Sequence, residues 1–170
     1  MSTRKGLPGL PHIGRCITLA GALFLAASAV WAQDQSAATA GDAIIARKTV
    51  MGALSEKMDD IETAISAGKV DLDQARAAAD TISIYLMAFP HLFPPATNQW
   101  KPGADKDPAT DTFASPDVWT HFADFYKLST AASKFAFDAS RSQSEAELKA
   151  AIGKLRTQCN ACHTAYLKAN

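Results

Sequence analysis

Two cysteines and a histidine near the C-terminus form the cluster in this sequence that is best suited to chemistry. They are Cys159, Cys162 and His163, in the order Cys-x-x-Cys-His. Thiols three positions apart on a helix can each form a thioether to one vinyl group of a haem, and the histidine directly after the second thiol can then bind the iron. Because this order and spacing are a specific signal for c-type haem attachment, we predict one covalently bound haem c per chain, with His163 as an axial ligand of the iron.

Other roles for this cluster fit the sequence less well. A structural zinc site needs four ligands, and the cluster supplies at most three. A thioredoxin-type redox pair opens a helix that follows a strand, whereas Cys159 and Cys162 fall in the last turns of a predicted helix. The alternative from a different functional class is a haem-free helical bundle that serves as a metal or redox interaction module.

The N-terminal segment has the pattern of an export signal. Basic residues at positions 4, 5 and 15 precede an apolar run over residues 17–30, which ends in the small-residue cleavage pattern Val30-Trp31-Ala32. This run is shorter than the roughly 20 apolar residues of a transmembrane helix, although an uncleaved anchor is the alternative. We therefore predict a signal peptide over residues 1–32, a mature domain over residues 33–170, a periplasmic location and no stable membrane insertion after cleavage.

The composition of the mature domain limits its partners. It keeps 14 of the 17 basic residues and all 17 acidic residues, a net charge of −3 with neutral histidines. This balance argues against a nucleic-acid partner. The length suits a single domain with one core.

Four amphipathic helices are predicted to position the C-terminal cluster. Apolar residues recur every three or four positions, helix-capping residues occur at Asp71, Ser115 and Ser144, and Gly68 and Pro90 mark two helix ends. The predicted helices cover residues 42–67, 71–89, 115–141 and 144–166. No stretch alternates like a strand, so the predicted fold class is all-α, an antiparallel four-helix bundle with the haem near the C-terminal helix.

The residues expected to face the core follow from the same spacing. They are Ile44, Met51, Leu54, Met58, Ile61 and Ile65 in the first helix; Ala75, Ala78, Ile82, Tyr85, Leu86 and Phe89 in the second; Val118, Trp119, Phe122, Phe125, Tyr126, Ser129, Ala132 and Phe135 in the third; and Leu148, Ile152, Leu155, Cys159, Cys162, His163 and Tyr166 in the fourth.

The segment 90–116 is predicted to be a long loop, because it holds six prolines and Gly103 among mostly polar residues. Such a loop in a compact domain tends to be a crossover connection or a functional cover. The side chains expected to pin it are Leu92, Phe93 and Trp100.

Taken together, these features resemble the class II c-type cytochromes, the cytochrome c′ family. The likeness covers the whole mature chain, and the position of the haem motif near the C-terminus separates it from the class I cytochromes c. The motifs that carry the resemblance are Arg47-Lys48-x-x-Met51, Leu92-Phe93-Pro94, Ser115-Pro116-Asp117-Val118-Trp119 and Cys159-x-x-Cys162-His163-x-x-Tyr166.

The resemblance implies that Met51 lies over the iron on the face opposite His163. In the high-spin members the side chain there only shields the iron, which stays five-coordinate and binds nitric oxide or carbon monoxide. In the low-spin members a methionine there ligates the iron, and the His/Met pair raises the reduction potential. Met51 is thus a candidate sixth ligand or a distal shield, whereas Met58 and Met87 are expected to be core fillers. Leu167 stands where high-spin members commonly carry a basic residue, which favours the low-spin alternative.

Arg47 lies one turn before Met51, where its guanidinium could pair with a haem propionate by charge-assisted hydrogen bonds. A solvated surface charge is the alternative for Arg47, and Lys48 is expected to be exposed. No histidine is expected on the distal face of the haem, the face opposite His163. His91 is expected in the exposed loop and His121 at the edge of the core. Haem peroxidases rely on a distal polar group, so an enzyme is not predicted.

The predicted function is that of a periplasmic electron carrier whose partners are redox proteins. The alternative is a five-coordinate, high-spin cytochrome c′ that binds nitric oxide or carbon monoxide. The two differ in the spin state of the iron and in ligand access, not in fold. The resemblance also allows a homodimer that forms through the first two helices.

Overall fold

The computed structural model describes the backbone of residues 18–102, 107 and 111–168, and side chains from residue 40 onward. The chain divides into two units, residues 1–36 and 37–170. The described backbone of the first unit, from Thr18, is helical. The predicted signal peptide covers residues 1–32. Residues 1–17 of it lie outside the described backbone, and none of its side chains is described. None of the described helices is long and apolar enough to cross a membrane.

The regular secondary structure of the described residues consists of helices and one isolated β-bridge. This confirms the predicted all-α fold class. The α-helices are α1 (Thr18–Ala67), α2 (Leu72–Ala88), α3 (Asp117–Thr120), α4 (Phe122–Ser140) and α5 (Glu145–Tyr166). Helix α1 begins well before the predicted start at residue 42, whereas the predicted ends of α1 and α2 agree with the structure to within one residue.

Local sequence signals explain where these helices begin and end. Gly68, with φ of +61°, ends α1 in a conformation that favours glycine. Its N–H donates to the Ile65 carbonyl, and the Lys69 N–H donates to the Ala64 carbonyl. Asp71 caps α2 by accepting a hydrogen bond from the Gln74 N–H at 3.1 Å. Ser144 likewise caps α5.

The predicted third helix is not continuous, which corrects the sequence-based boundary. His121 has φ of −121° and ψ of 38°, and it separates the short helix α3 from α4. Two residues that were predicted to face the core lie at the surface instead: Phe122 is 39% exposed and Tyr126 is 41% exposed. Tyr85 on α2 was also predicted to face the core, and it is 36% exposed.

The seam between α2 and α4 gives the physical reason for these differences. Both helices turn small residues inward, and serine hydroxyls bind backbone carbonyls across the seam: Ser133 to the Ser83 carbonyl at 2.9 Å and Ser129 to the Leu86 carbonyl at 2.6 Å. The Ser83 and Ser133 hydroxyls also lie 3.2 Å apart. Since each buried hydroxyl has a partner, the seam satisfies its polar groups, and the large aromatic side chains lie outside it.

The buried residues form two hydrophobic clusters. The first fills the bundle between α1, α2, α4 and α5, and the second lies where the loop after α2 meets α3, α4 and the end of α5. Val50 and Met51 of α1 pack against both clusters. Most of the predicted inward positions of α1 and α5 are buried as expected, including Ile44, Leu54, Met58, Ile61, Leu148, Ile152, Leu155 and Tyr166.

The loop after α2 contains two short 3-10 helices, Phe89–Leu92 and Pro95–Thr97. Phe93 is buried in the second cluster, and the Trp119 indole donates a hydrogen bond to the Phe93 carbonyl at 3.1 Å. Phe93 therefore pins the loop, as the sequence predicted.

Overpacking the small-residue seam should destabilise the bundle. Ala79 of α2 is completely buried, so Ala79→Leu is expected to lower the free energy of unfolding by about 1–3 kcal/mol. The control is Ala77→Leu on the exposed side of the same helix, which should change that free energy by no more than about 0.5 kcal/mol. Urea denaturation of the holoprotein measures both values, and equal effects of the two variants would contradict this description of the seam.

Candidate haem-binding site

The C-terminal cluster lies on the last turns of α5, where the sequence places it. Cys159 and Cys162 are free thiols, one turn apart and half-buried. Cys159 packs against the first hydrophobic cluster and Cys162 against the second. Burial raises the pKa of the Cys159 thiol and raises that of Cys162 to about 11, so both thiols are neutral at neutral pH. The two cysteines therefore border the two halves of one apolar region.

Two adjoining cavities lie against this face of α5. The smaller has a volume of about 80 Å³ and the larger about 270 Å³. Both are lined mainly by apolar side chains, and the residues that line both are Met51, Phe89, Cys162 and His163. Cys159 lines the smaller cavity alone. The structure therefore brings together the four residues that the sequence singled out for haem attachment and iron ligation.

His163 lines both cavities, although much of the residue is exposed to solvent. Burial of part of the imidazole lowers its pKa, and the nearby Arg156 cation lowers it further. A neutral imidazole can use a ring nitrogen as a metal ligand. In the part of the chain that the structure describes, no group of three or more His, Cys, Asp or Glu side chains could hold a bare metal ion.

Met51 approaches the same space from α1. It is half-buried, packs against both hydrophobic clusters and lines both cavities. Met58 is buried at 3% exposure and belongs to the first cluster, which agrees with its predicted role as a core filler. Met87 is 62% exposed, so the prediction that it fills the core was wrong.

Arg47 is buried, with only 4% of its surface exposed, and it lines the larger cavity. Its guanidinium donates hydrogen bonds to the Thr97 hydroxyl at 2.9 Å, to the Thr97 carbonyl at 3.4 Å and to the Thr112 hydroxyl. The cation also lies over the Phe93 ring, 4.7 Å from its centroid. Burial lowers the pKa of the guanidinium to about 10, which leaves it charged at neutral pH. Arg47 is therefore not a solvated surface charge.

Among the described residues, the hydrogen-bond partners of Arg47 are neutral and it forms no ion pair. A buried charge without a counter-ion is costly. The adjoining cavity is where an anionic group could supply the missing charge. Lys48 also lines this cavity, is half-buried rather than exposed as predicted, and donates to the Asp111 carbonyl at 2.8 Å.

Residues 111–115, here named the cover segment, close one side of the larger cavity. Ala114 forms an antiparallel bridge with Leu167, the Ser115 N–H donates to the Tyr166 carbonyl at 2.8 Å, and the Lys168 N–H donates to the Phe113 carbonyl at 2.9 Å. Arg47 and Lys48 hold the same segment from α1. The long loop therefore serves as a cover, one of the two roles that its length predicted.

Residues 42–167 match the profile of the family described as Cytochrome C′. The chain belongs to the cytochrome c′ family. Cytochrome c-556 of Agrobacterium tumefaciens (strain II Chrys) is 35% identical over 109 residues, which cover 61% of this chain and 79% of that protein.

Solved structures agree on the fold. Cytochrome c′ from Thermochromatium tepidum superimposes with a TM-score of 0.66 at 22% identity, over 76% of this cytochrome and 97% of that chain. A nitric oxide complex of a mutant cytochrome c′ from Alcaligenes xylosoxidans gives a TM-score of 0.64 at 19% identity, over 76% and 97% of the two chains. The four-helix bundle is thus shared, and this cytochrome binds covalently attached haem c.

The residues of the site fit this cofactor. Two thiols and an imidazole face an apolar space, and the buried Arg47 cation lacks a counter-ion among the described residues, a charge that a haem propionate would supply. All five of the candidate residues named from the sequence line these cavities. The sequence missed Thr97 and Thr112, because no local signal shows which hydroxyls a distant arginine will reach.

Proposed function

We propose that this cytochrome carries electrons, with its haem bound through thioethers to Cys159 and Cys162 and its iron held between His163 and Met51. The single observation that carries the proposal is that Met51 of α1 and His163 of α5 line the same two cavities. A methionine thioether is an established partner of histidine in electron-carrying haem sites and raises their reduction potential.

The chain's own residues suit this task. Haem supplies a one-electron couple at its iron. Met51 sits on α1 and His163 on α5, and both helices belong to the packed bundle, so each ligand is held by a rigid element. Apolar side chains, which include Leu54, Leu86 and Phe89, line the smaller cavity beside both residues.

A redox titration in the presence of carbon monoxide tests the proposal. The holoprotein is expected to cycle reversibly between oxidised and reduced low-spin states, with carbon monoxide binding weakly because Met51 competes for the iron. A reduced protein that is high-spin and binds carbon monoxide readily would contradict electron transfer by a His/Met pair and would support the gas-binding alternative.

That alternative is a five-coordinate cytochrome that binds nitric oxide or carbon monoxide. The structural neighbour from Alcaligenes xylosoxidans, which is described as a nitric oxide complex, is the observation that favours it. In this case Met51 would act as a shield over the iron, and the smaller cavity beside it would admit the gas. The identity of the side chain at position 51 favours ligation, since a thioether is a good ligand for haem iron.

We also propose that Arg47 binds a haem propionate. Arg47→Gln should then lower the reduction potential by on the order of 50 mV, or roughly 1 kcal/mol, because removing a cation beside the haem favours the oxidised state. Potentiometric titration of the two holoproteins measures the shift. Lys127→Gln removes an exposed cation of α4 and is the control, which should leave the potential nearly unchanged. A potential that Arg47→Gln also leaves unchanged would rule out a propionate contact.

We also propose that the protein is exported to the periplasm. Residues 1–32 act as a signal peptide, and residues 33–170 work in the periplasm, where haem is attached and where redox proteins are the partners. The basic and apolar pattern of the N-terminal segment supports this location. N-terminal sequencing of the exported protein tests it, and a chain that keeps residues 1–32 would contradict cleavage.

A further inference from the structure

Arg156 joins the helix that carries His163 to the helix that carries Met51 through two ion pairs. The Arg156 guanidinium of α5 donates two hydrogen bonds to the Glu62 carboxylate of α1, from Nε at 2.8 Å and from Nη2 at 2.6 Å. Asp59, also on α1, lies 3.5 Å from Nη2. The other ion pairs between described residues lie within single helices, α2 or α4. Among the described residues, Arg156 is thus the centre of the ionic link between α1 and α5, and its pair with Glu62 is the shorter of the two.

Arg156 also borders the haem site. It lines the smaller cavity beside Cys159 and His163, and it is the one permanently charged side chain among the residues that line that cavity. Arg156 lies about two helical turns before His163 on α5, and Glu62 lies about three turns after Met51 on α1. At about 1.5 Å per residue these separations are roughly 10 Å and 16 Å along the helix axes. The pair is therefore close enough to both axial positions to influence their geometry.

A bidentate arginine–carboxylate pair is directional, whereas apolar contacts between helices are not. Two parallel hydrogen bonds favour one axial position and one rotation of α1 relative to α5. Because helices are stiff, a slide or rotation at Glu62 is transmitted along α1 to Met51. A thioether would bind the haem iron over only a narrow range of positions, so the position of α1 would affect whether Met51 could act as a ligand.

We propose that Arg156 and Glu62 are positioning residues that hold α1 in the register at which Met51 can ligate the iron. This inference rests on the proposed His/Met ligation. The pair lies at the edge of the bundle, since the side chain of Arg156 is 37% exposed and that of Glu62 is 35% exposed. Pairs with this exposure contribute little to global stability. Loss of the pair should therefore change the coordination of the iron while the protein stays folded.

The experiment compares Glu62→Gln and Arg156→Gln with the wild-type holoprotein. Glu62→Gln keeps the size of the side chain and leaves the Asp59 contact in place, whereas Arg156→Gln shortens the side chain and removes both ion pairs. Each is expected to weaken the near-infrared methionine charge-transfer band of the oxidised protein and to raise the carbon monoxide affinity of the reduced protein roughly fivefold or more. The thermal unfolding midpoint should stay close to that of the wild type. The matched control is Lys134→Gln, which breaks a surface pair within α4 and should change neither readout.

The exchanged double variant, Glu62→Arg with Arg156→Glu, separates positioning from the electrostatic effect of a cation near the haem. It is made in an Asp59→Asn background, because Asp59 would otherwise repel the new carboxylate at position 156. It restores the link between the helices with the charges reversed, so it should recover the band and the wild-type carbon monoxide affinity. Single variants with unchanged band and affinity would overturn the inference while leaving His/Met ligation intact. A double variant as impaired as the single ones would also overturn it, in favour of a direct charge effect. A wild-type protein without the methionine band would overturn both the proposed function and this inference.

Discussion

The double variant Cys159→Ala/Cys162→Ala is expected to lose covalent haem completely. Under the proposed attachment, each sulfur would form one of the two bonds to the macrocycle, and removal of both would leave only the axial bonds and apolar contacts, which do not survive denaturation. The structure supports this expectation because both thiols are free and face the apolar cavities. Haem staining after denaturing electrophoresis measures the result, in a host that contains the haem-attachment machinery.

A third cysteine provides the matched control for this experiment. Cys16 lies in the N-terminal segment, outside the described residues, and is predicted to be removed with the signal peptide. Cys16→Ala should therefore leave the haem stain at the wild-type level. Haem that stays covalently attached in the double variant would mean that the Cys-x-x-Cys-His motif is not the attachment site.

The variant Met51→Ala is expected to convert the iron from low-spin to high-spin and to open its sixth position. If the wild-type iron is bound by Met51 in about 99% of molecules, loss of this competitor raises the carbon monoxide affinity roughly 100-fold. The reduction potential should fall at the same time, because the thioether that raises it is gone. Carbon monoxide titration of the reduced protein, followed in the visible spectrum, measures the change.

Met58→Ala is the control for Met51→Ala. Met58 is also a methionine of α1 that lines the smaller cavity, but it is buried in the first hydrophobic cluster. Its truncation should cost about 2–5 kcal/mol of unfolding free energy and leave the spin state unchanged. A Met51→Ala variant with the wild-type spectrum and gas affinity, or a Met58→Ala variant that becomes high-spin, would contradict the assignment of Met51.

The parts of this structure that the sequence predicted are those set by local signals. Gly68, Asp71 and Ser144 mark helix boundaries because they bind backbone groups within a few residues. The haem motif is equally local, since its three residues lie on one turn of α5. The spacing of apolar residues also placed Met51 and Met58 on the inner side of α1, because a straight helix keeps its period.

The parts that it did not predict depend on which helices approach most closely. Tyr85, Phe122 and Tyr126 were expected inside because of their helical spacing, but the α2–α4 seam is rich in buried alanine and serine. Two helices with small facing residues pack tightly and leave no room for rings between them. That preference is a property of the pair and is not visible in either helix alone.

The sequence also did not predict the contacts between residues that are distant along the chain. Arg47 reaches Thr97 and Thr112, which lie 50 and 65 positions away, and Arg156 reaches Glu62 across 94 positions. The sequence could identify Arg47 as a candidate by its register with Met51. It could not show that the guanidinium would be buried, because burial of this charge depends on the loop that folds over it.

The most direct test of the central claim is the visible and near-infrared spectrum of the oxidised wild-type holoprotein. Iron held between His163 and Met51 predicts a low-spin spectrum with a methionine-to-iron charge-transfer band in the near infrared. A high-spin spectrum without that band would contradict His/Met ligation and would leave Met51 as a shield over a five-coordinate iron.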